Sequence, residues 1–94
     1  MLKFEWDDNK DKTIIEKHGI SFEEAVTVFE DDEALVIVDD AHSQEEERFV
    51  LIGFSHKANL LVVCHCYREK DSIIRIISAR KASRQESKEY TKKL

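Results

Sequence analysis

The stretch from Ser72 to Ser83 limits what this chain can fold into more than any other. Isoleucines at 73, 74, 76 and 77 occupy both faces of an extended segment. β-Branched side chains on both faces suit a strand inside a sheet rather than at its edge. Ser83 with Glu86 three residues later reads as a capping box, so the strand from Ser72 to Arg80 hands over to a helix reaching about Lys93. Arg75 and Arg80 sit in the same stretch. A guanidinium in a central strand is costly unless it reaches water or an anion. The two arginines either snorkel to the sheet margin or hold positive charge where a phosphate binds.

The remaining elements arrange themselves around that strand. Leu2 to Trp6 reads as a short strand, with Trp6 as a core anchor. Asp7 or Asp8 caps a helix that runs to about Lys17, makes its main contacts through Ile14 and Ile15, and stops at Gly19. His18 ends that helix, where a cationic imidazole favours the helix dipole. Ser21 and Glu24 form a second capping box, and Phe22, Ala25, Val26 and Phe29 give the next helix one apolar stripe. Strands follow at Leu35–Val38, Arg48–Phe54 and Leu60–Tyr67, with connections short enough for antiparallel hairpins. The acidic loop from Asp39 to Glu46, which carries His42, reads as an exposed connection, with a specificity loop as the other reading. The last helix has little to bury beyond Tyr90 and Leu94 and is expected to dock loosely.

This order predicts one domain over residues 1–94: an α+β fold with a mostly antiparallel sheet, two N-terminal helices on one face and a C-terminal helix. No proline, two glycines and no repeat argue against linkers. No apolar run approaches a membrane span and no signal peptide is evident, so a cytoplasmic protein without membrane partners is expected. Cys64 and Cys66, two apart on one strand, lack disulfide geometry and read as small packing residues; no zinc spacing accompanies them.

The net charge of −5 hides an asymmetry. Residues 1–47 hold 4 Lys/Arg against 16 Asp/Glu, whereas residues 48–94 hold 11 against 4. One anionic flank and one cationic face follow, and a cationic face attracts phosphates whatever the total. Hairpin register suggests which side chains share that face. Centring one loop on Lys57 and the next on Lys70 sets His65 opposite Phe49 and Arg75, and Tyr67 opposite Glu47 and Ile73. Alternation then gathers Glu47, Phe49, His65, Tyr67 and Arg75 on one face. Val50, Ile52, Phe54, Leu60, Val62, Cys64, Cys66, Ile74 and Ile76 form an apolar face on the other side. A slip of one residue in either hairpin breaks the cluster.

Four segments carry a resemblance. They are Phe4-Glu5-Trp6-Asp7, Lys17 through Ala25 (KHGISFEEA), His42-Ser43 through Glu47-Arg48-Phe49, and Arg75 through Ala82 (RIISARKA). In order and spacing they resemble the BrnT family of type II toxin–antitoxin toxins over nearly the whole chain. The resemblance implies a RelE-like ribonuclease fold and RNA cleavage without a metal or other cofactor. It also implies neutralisation by a BrnA-like antitoxin, a heterotetramer as one form of that complex, and contact with DNA only through the antitoxin. Arg48 and Arg80 fall within the matching segments; His65 and Tyr67 do not.

Read as a ribonuclease, the cluster has candidates for each task when a 2′-hydroxyl attacks its neighbouring phosphate. Glu47 and His65 are candidates for the base, and His65 and Tyr67 for the acid or for stacking a nucleobase. Arg75 is the candidate for stabilising the phosphorane, with Arg80 at the strand end. Arg68 and Lys70 at the hairpin tip, and Lys81 and Arg84 where the strand meets the helix, are candidates for tracking the RNA backbone. Arg48 joins them or pairs with the acidic loop. The competing reading is a catalytically inactive module that binds an antitoxin-like partner and serves transcriptional autoregulation, its polar residues forming an ordinary cross-strand network. A glycine-rich phosphate loop and a metal motif are both missing from the sequence.

Overall fold

The computed structural model describes residues 3–42 and 46–92. The chain runs β1 (Lys3–Glu5), α1 (Asp8–His18), α2 (Phe22–Thr27), a 3₁₀ turn at Val28–Glu30, β2 (Leu35–Val38), a 3₁₀ turn at Asp40–His42, β3 (Phe49–Phe54), β4 (Leu60–Arg68), β5 (Ile73–Lys81) and α3 (Arg84–Thr91). Leu2, Lys93, Leu94 and residues 43–45 of the acidic loop lie outside the described residues.

Local chemistry sets the helix ends. The Asp7 carboxylate accepts from the backbone N–H groups of Asn9 and Lys10 at 2.8 and 3.3 Å. Gly19 closes α1 in the left-handed region, φ 69°. Asp11 then accepts from the Phe22 N–H at 2.8 Å, tying α1 to the start of α2. Ile14 is buried, but Ile15, expected beside it as a main contact, is 43 % exposed. Ser21 caps α2 through the Glu24 N–H, but only half of the expected capping box forms. The Glu24 carboxylate instead accepts from the Ser55 hydroxyl at 2.6 Å and the Asn59 amide at 2.8 Å, fastening the β3–β4 loop to α2. Burial pushes its pKa up, yet these bonds and the charges of Lys57 and His56 outweigh burial and hold it below the usual carboxylate value. The box at Ser83 and Glu86 is complete.

The sheet order is β1-β5-β4-β3-β2, with β1 parallel to β5 and every other pair antiparallel. The fold is therefore α+β with a mixed five-stranded sheet and three α-helices among the described residues. Loop 55–59 pairs Phe49 with His65 and Phe54 with Leu60, the register a loop centred on Lys57 requires. The β4–β5 hairpin is different. Its loop has four residues, of which Glu69, Lys70 and Asp71 all take positive φ (51°, 54° and 70°). Arg68 pairs with Ile73, Tyr67 with Ile74, Cys66 with Arg75 and His65 with Ile76, one residue away from the expected register. A bulge follows: Cys64 pairs with Ser78, leaving Ile77 extra on β5.

The slip changes which residues share a face. Leu51, Leu61, Val63, Ile74, Ile76 and Ala79 form one apolar face, packed against Ile14, Ile20, Phe22, Ala25 and Val28 from the α1–α2 segment. Trp6 packs on this core, its ring edge-on to Phe22 at 6.2 Å. The expected apolar face joining Cys64 and Cys66 to Ile74 and Ile76 does not exist, because these pairs lie on opposite sides. On the second face Ile52 and Val62 pack against Tyr90 of α3.

Helix α3 is anchored rather than loosely docked. Tyr90 is 3 % exposed, its hydroxyl donates to Asp31 Oδ2 at 2.7 Å, and its ring meets Phe54 edge-on at 5.4 Å. Burial and the Asp31 carboxylate push the phenol up to about 12.

Candidate functional site

The one-residue slip divides the expected constellation between the two faces. Phe49, His65 and Tyr67 stay together on the helix-covered face. His65 is 1 % exposed there, edge-on to Phe29 at 4.9 Å, stacked on Phe49 at 5.9 Å, and with Nδ1 3.3 Å from the Val63 carbonyl. Burial pushes its pKa below the usual imidazole value. A ring so enclosed is a core residue; the expected base or acid role does not fit this placement. Tyr67 is 36 % exposed and, with Phe49, Glu46, Glu47 and Asp71, lines an open cavity of about 360 Å³. Glu47 and Tyr67 therefore meet, but not beside Arg75.

Arg75 lies on the second face, paired with Cys66 across the ladder and with Glu5 on β1. Its Nη1 donates to Glu5 Oε2 at 2.7 Å. Arg80 shares this face, opposite Val62, and its two Nη groups donate to the two Glu86 carboxylate oxygens at 2.7 Å each. The Arg80 bonds come first in holding the Glu86 carboxyl down at about 2. Arg68 reaches Glu46 at 3.4 Å.

Two clefts run along this face. One, about 300 Å³, is lined by Lys10, Arg48, Cys64, Ser78 and Arg80 among others. The other, about 250 Å³, includes Lys10, Glu46, Arg48, Arg68 and Arg75 in its lining. They share Lys10, Arg48 and the bulged Ile77, so the five cations border one groove across the uncovered part of the sheet. The bulge matters for this arrangement. By inserting Ile77 it sets Arg75 and Arg80, five residues apart, on the same face, where strict alternation would oppose them.

Of the residues expected to bind the RNA backbone, Arg48 and Arg68 line this groove, as do Arg75 and Arg80 from the expected catalytic set, whereas Lys70, Lys81 and Arg84 are exposed outside it. Lys10 was missed. It lies on α1, and only the docking of that helix brings it to the groove. Glu5 was missed as the partner of Arg75 because parallel pairing of β1 and β5 joins distant parts of the chain. Cys64 borders the groove with its thiol pushed up by burial despite nearby Arg48, so it remains a protonated packing residue. Both cysteines are free. Among the described residues no group of three or more His, Cys, Asp or Glu side chains is placed to hold a metal, and no helix is long and apolar enough to cross a membrane.

A cationic groove on a small α+β sheet coincides with a sequence match. The family model described as ribonuclease toxin, BrnT, of type II toxin–antitoxin system matches residues 6–86. The chain belongs to the BrnT family. The match spans Lys10, Arg48, Arg68, Arg75 and Arg80. The fold is similar to the crystal structure of the Brucella abortus ribonuclease toxin, BrnT, with a TM-score of 0.67 at 24 % identity, covering 89 % of this chain and 100 % of that one. No curated protein matches in sequence. Membership of a type II toxin–antitoxin family makes this chain a toxin with a cognate antitoxin as its partner.

Proposed function

We propose that this BrnT-family toxin is an endoribonuclease whose RNA backbone lies in the cationic groove, and that cleavage inhibits translation and growth until the antitoxin binds. The observation that carries the reading is the convergence of Lys10, Arg48, Arg68, Arg75 and Arg80 on one sheet face of an otherwise acidic protein. In this reading the 2′-hydroxyl attacks the adjacent phosphorus in line, the P–O5′ bond breaks, and a 2′,3′-cyclic phosphate and a 5′-hydroxyl form. Arg75 has four of its five N–H donors left after its bond to Glu5, which orients it; it clamps the phosphate as charge builds on the equatorial oxygens. Two carboxylates line the cleft with Arg75 and Arg68; Asp7 is taken up in capping α1, and Glu46 takes the 2′-hydroxyl proton in place of the expected Glu47 and His65. Lys10 is the proton-bearing group at the cleft suited to protonate the leaving oxygen. No step needs a metal. The reading keeps the RelE-like fold, a BrnA-like antitoxin, a heterotetrameric complex and a cytoplasmic site of action.

Purified protein with synthetic RNA in EDTA tests this. The wild type is expected to leave cyclic-phosphate ends, and Arg75→Ala to lose about 100-fold or more in rate while keeping its circular dichroism and melting temperature. Undiminished cleavage by a folded Arg75→Ala variant removes that residue from the chemistry.

The inactive-module reading has an observation of its own: Arg68, Arg75 and Arg80 each already engage a carboxylate. It is favoured if the folded wild type cuts no RNA and does not arrest growth.

A further inference from the structure

The acidic side of the molecule carries an apolar feature that the groove does not use. Strand β2 ends the sheet, and among the described residues no strand pairs with its outer side. It is apolar throughout (Leu35-Val36-Ile37-Val38), yet Val36 is 58 %, Ile37 45 % and Val38 44 % exposed. Edge strands are normally blunted by charge, proline or a cover, since their backbone groups otherwise recruit another strand. Here charge flanks the strand instead of interrupting it: Asp32 and Glu33 precede it, and Asp39 and Asp40 follow.

The edge leads into the cavity on the same face. Val36 and Val38 lie opposite Leu51 and Phe49. Phe49 meets Tyr67 edge-on at 5.4 Å, and both rings line the open cavity that Glu46, Glu47 and Asp71 complete. Two aromatic walls and three carboxylates suit a cationic side chain, which gains ring quadrupole attraction and charge-assisted hydrogen bonds together.

We infer that the free edge of β2 and the Phe49–Tyr67 cavity together receive an extended basic segment of the antitoxin. The inference rests on the toxin reading and locates its partner. The segment adds a sixth strand beside β2, sets apolar side chains against Val36, Ile37 and Val38, and places a Lys or Arg in the cavity. Charge chooses this occupant. A second copy paired antiparallel through β2 would set its own Asp39 and Asp40 against Asp32 and Glu33. RNA is repelled by Asp32, Glu33 and Asp40, none of which lines the arginine groove. Arg75 itself lies on the opposite face, and Glu46 alone lines both the cavity and the arginine groove, so docking at this edge does not depend on Arg75.

The test is titration of the purified cognate antitoxin onto the full chain, with amide exchange as a second readout. The double variant Val36→Lys, Val38→Lys changes exposed side chains only and is expected to keep the wild-type melting temperature. Its antitoxin affinity should fall at least about thirtyfold, the mark of a hot spot. Tyr67→Ala should weaken binding by a similar factor and flatten its salt dependence, Arg75→Ala should bind like wild type, and antitoxin should protect the amides of residues 35–38. Unchanged affinity in the folded double variant overturns the inference while leaving RNA cleavage untouched. It is equally overturned if the antitoxin fails to bind the wild type, if the antitoxin-free chain dimerises through β2, or if RNA rather than antitoxin is what the double variant loses. If the wild type cuts no RNA but binds antitoxin through this edge, the nuclease reading falls and the docking site stands.

Discussion

Replacing Tyr90 by Phe removes one oxygen and leaves the ring in place. That hydroxyl donates to Asp31 Oδ2 at 2.7 Å across 59 residues of sequence. A hydrogen bond to a charged acceptor contributes about 1.5–3 kcal/mol. The low end applies here, because Asp31 keeps the N–H bonds of Phe54 and Glu33 and is only partly buried, so water can replace the phenol. About 1.5 kcal/mol in a domain of this size corresponds to a fall in Tm of about 6–12 °C. The effect should depend on pH with a definite sign. Burial pushes the Asp31 carboxyl up, but the bonds from the Phe54 N–H, the Tyr90 hydroxyl and the Glu33 N–H outweigh it and hold the folded pKa below the unfolded value of about 3.9. The stabilisation linked to that shift is present above the unfolded value and lost as pH falls towards the folded one. The gap between wild type and Tyr90→Phe should therefore narrow below about pH 4. In alkali the phenol, pushed up to about 12, stays protonated in the folded chain while the unfolded chain ionises near 10. Wild type therefore loses stability as pH rises above about 10, and the variant escapes that loss. Circular dichroism melts at about pH 3, 7 and 10.5 test all three. A Tm at pH 7 within about 2 °C of wild type would show that α3 is not held by this bond.

Three further outcomes follow from the geometry. An added Cβ at Gly53 meets Ala34 Cβ, Asp31 Oδ2 and Val28 Cγ1, each at 3.0 Å, so Gly53→Ala should cost about 1–3 kcal/mol in urea unfolding; an unchanged midpoint would show that these neighbours yield freely. His65, pushed down by burial, stays neutral in the folded chain while the unfolded chain takes a proton near 6.5, so stability should fall as pH drops below about 6.5. His65→Leu should flatten that slope and keep RNA cleavage within about threefold, short of the hundredfold a proton-transfer group supplies; a larger loss in the folded variant returns His65 to the chemistry. Glu86→Gln keeps the helix cap and, because Arg80 is 44 % exposed, should cost less than about 1 kcal/mol. It frees Arg80 for phosphate, so RNA binding should tighten and its log–log salt slope steepen by about 0.7; an unaltered slope places Arg80 away from the backbone.

Much of the fold is written locally. Asp7, Gly19, Ser21 and the Ser83–Glu86 pair mark helix ends because a cap is settled within three or four residues by whether an oxygen reaches an orphan N–H. The β3–β4 register is equally legible, since the loop around Lys57 has an obvious centre between two apolar runs. The β4–β5 hairpin is not. Its loop turns through three left-handed residues without a glycine to announce them, and the bulge at Ile77 carries no composition signal. Each shift is one residue, and each moves side chains to the opposite face. That is why Arg75 appeared beside His65 and lies instead with Arg80.

The Ser72–Ser83 stretch by itself determined that a central strand carries two arginines into a capped helix, and four ordered motifs determined the family. Which face would be core lay beyond the sequence, because β3 and β4 are apolar on both sides and alternation cannot choose between Leu51 with Val63 and Ile52 with Val62. The α1–α2 segment decided it by covering the first pair, which buried His65 and left the arginine face open. Lys10 reached the groove and Glu5 reached Arg75 by the same route, from an N-terminal segment placed by tertiary packing and by its parallel pairing with β5. A cap is closed by neighbours along the chain, whereas a face is assigned by whatever distant surface excludes water from it.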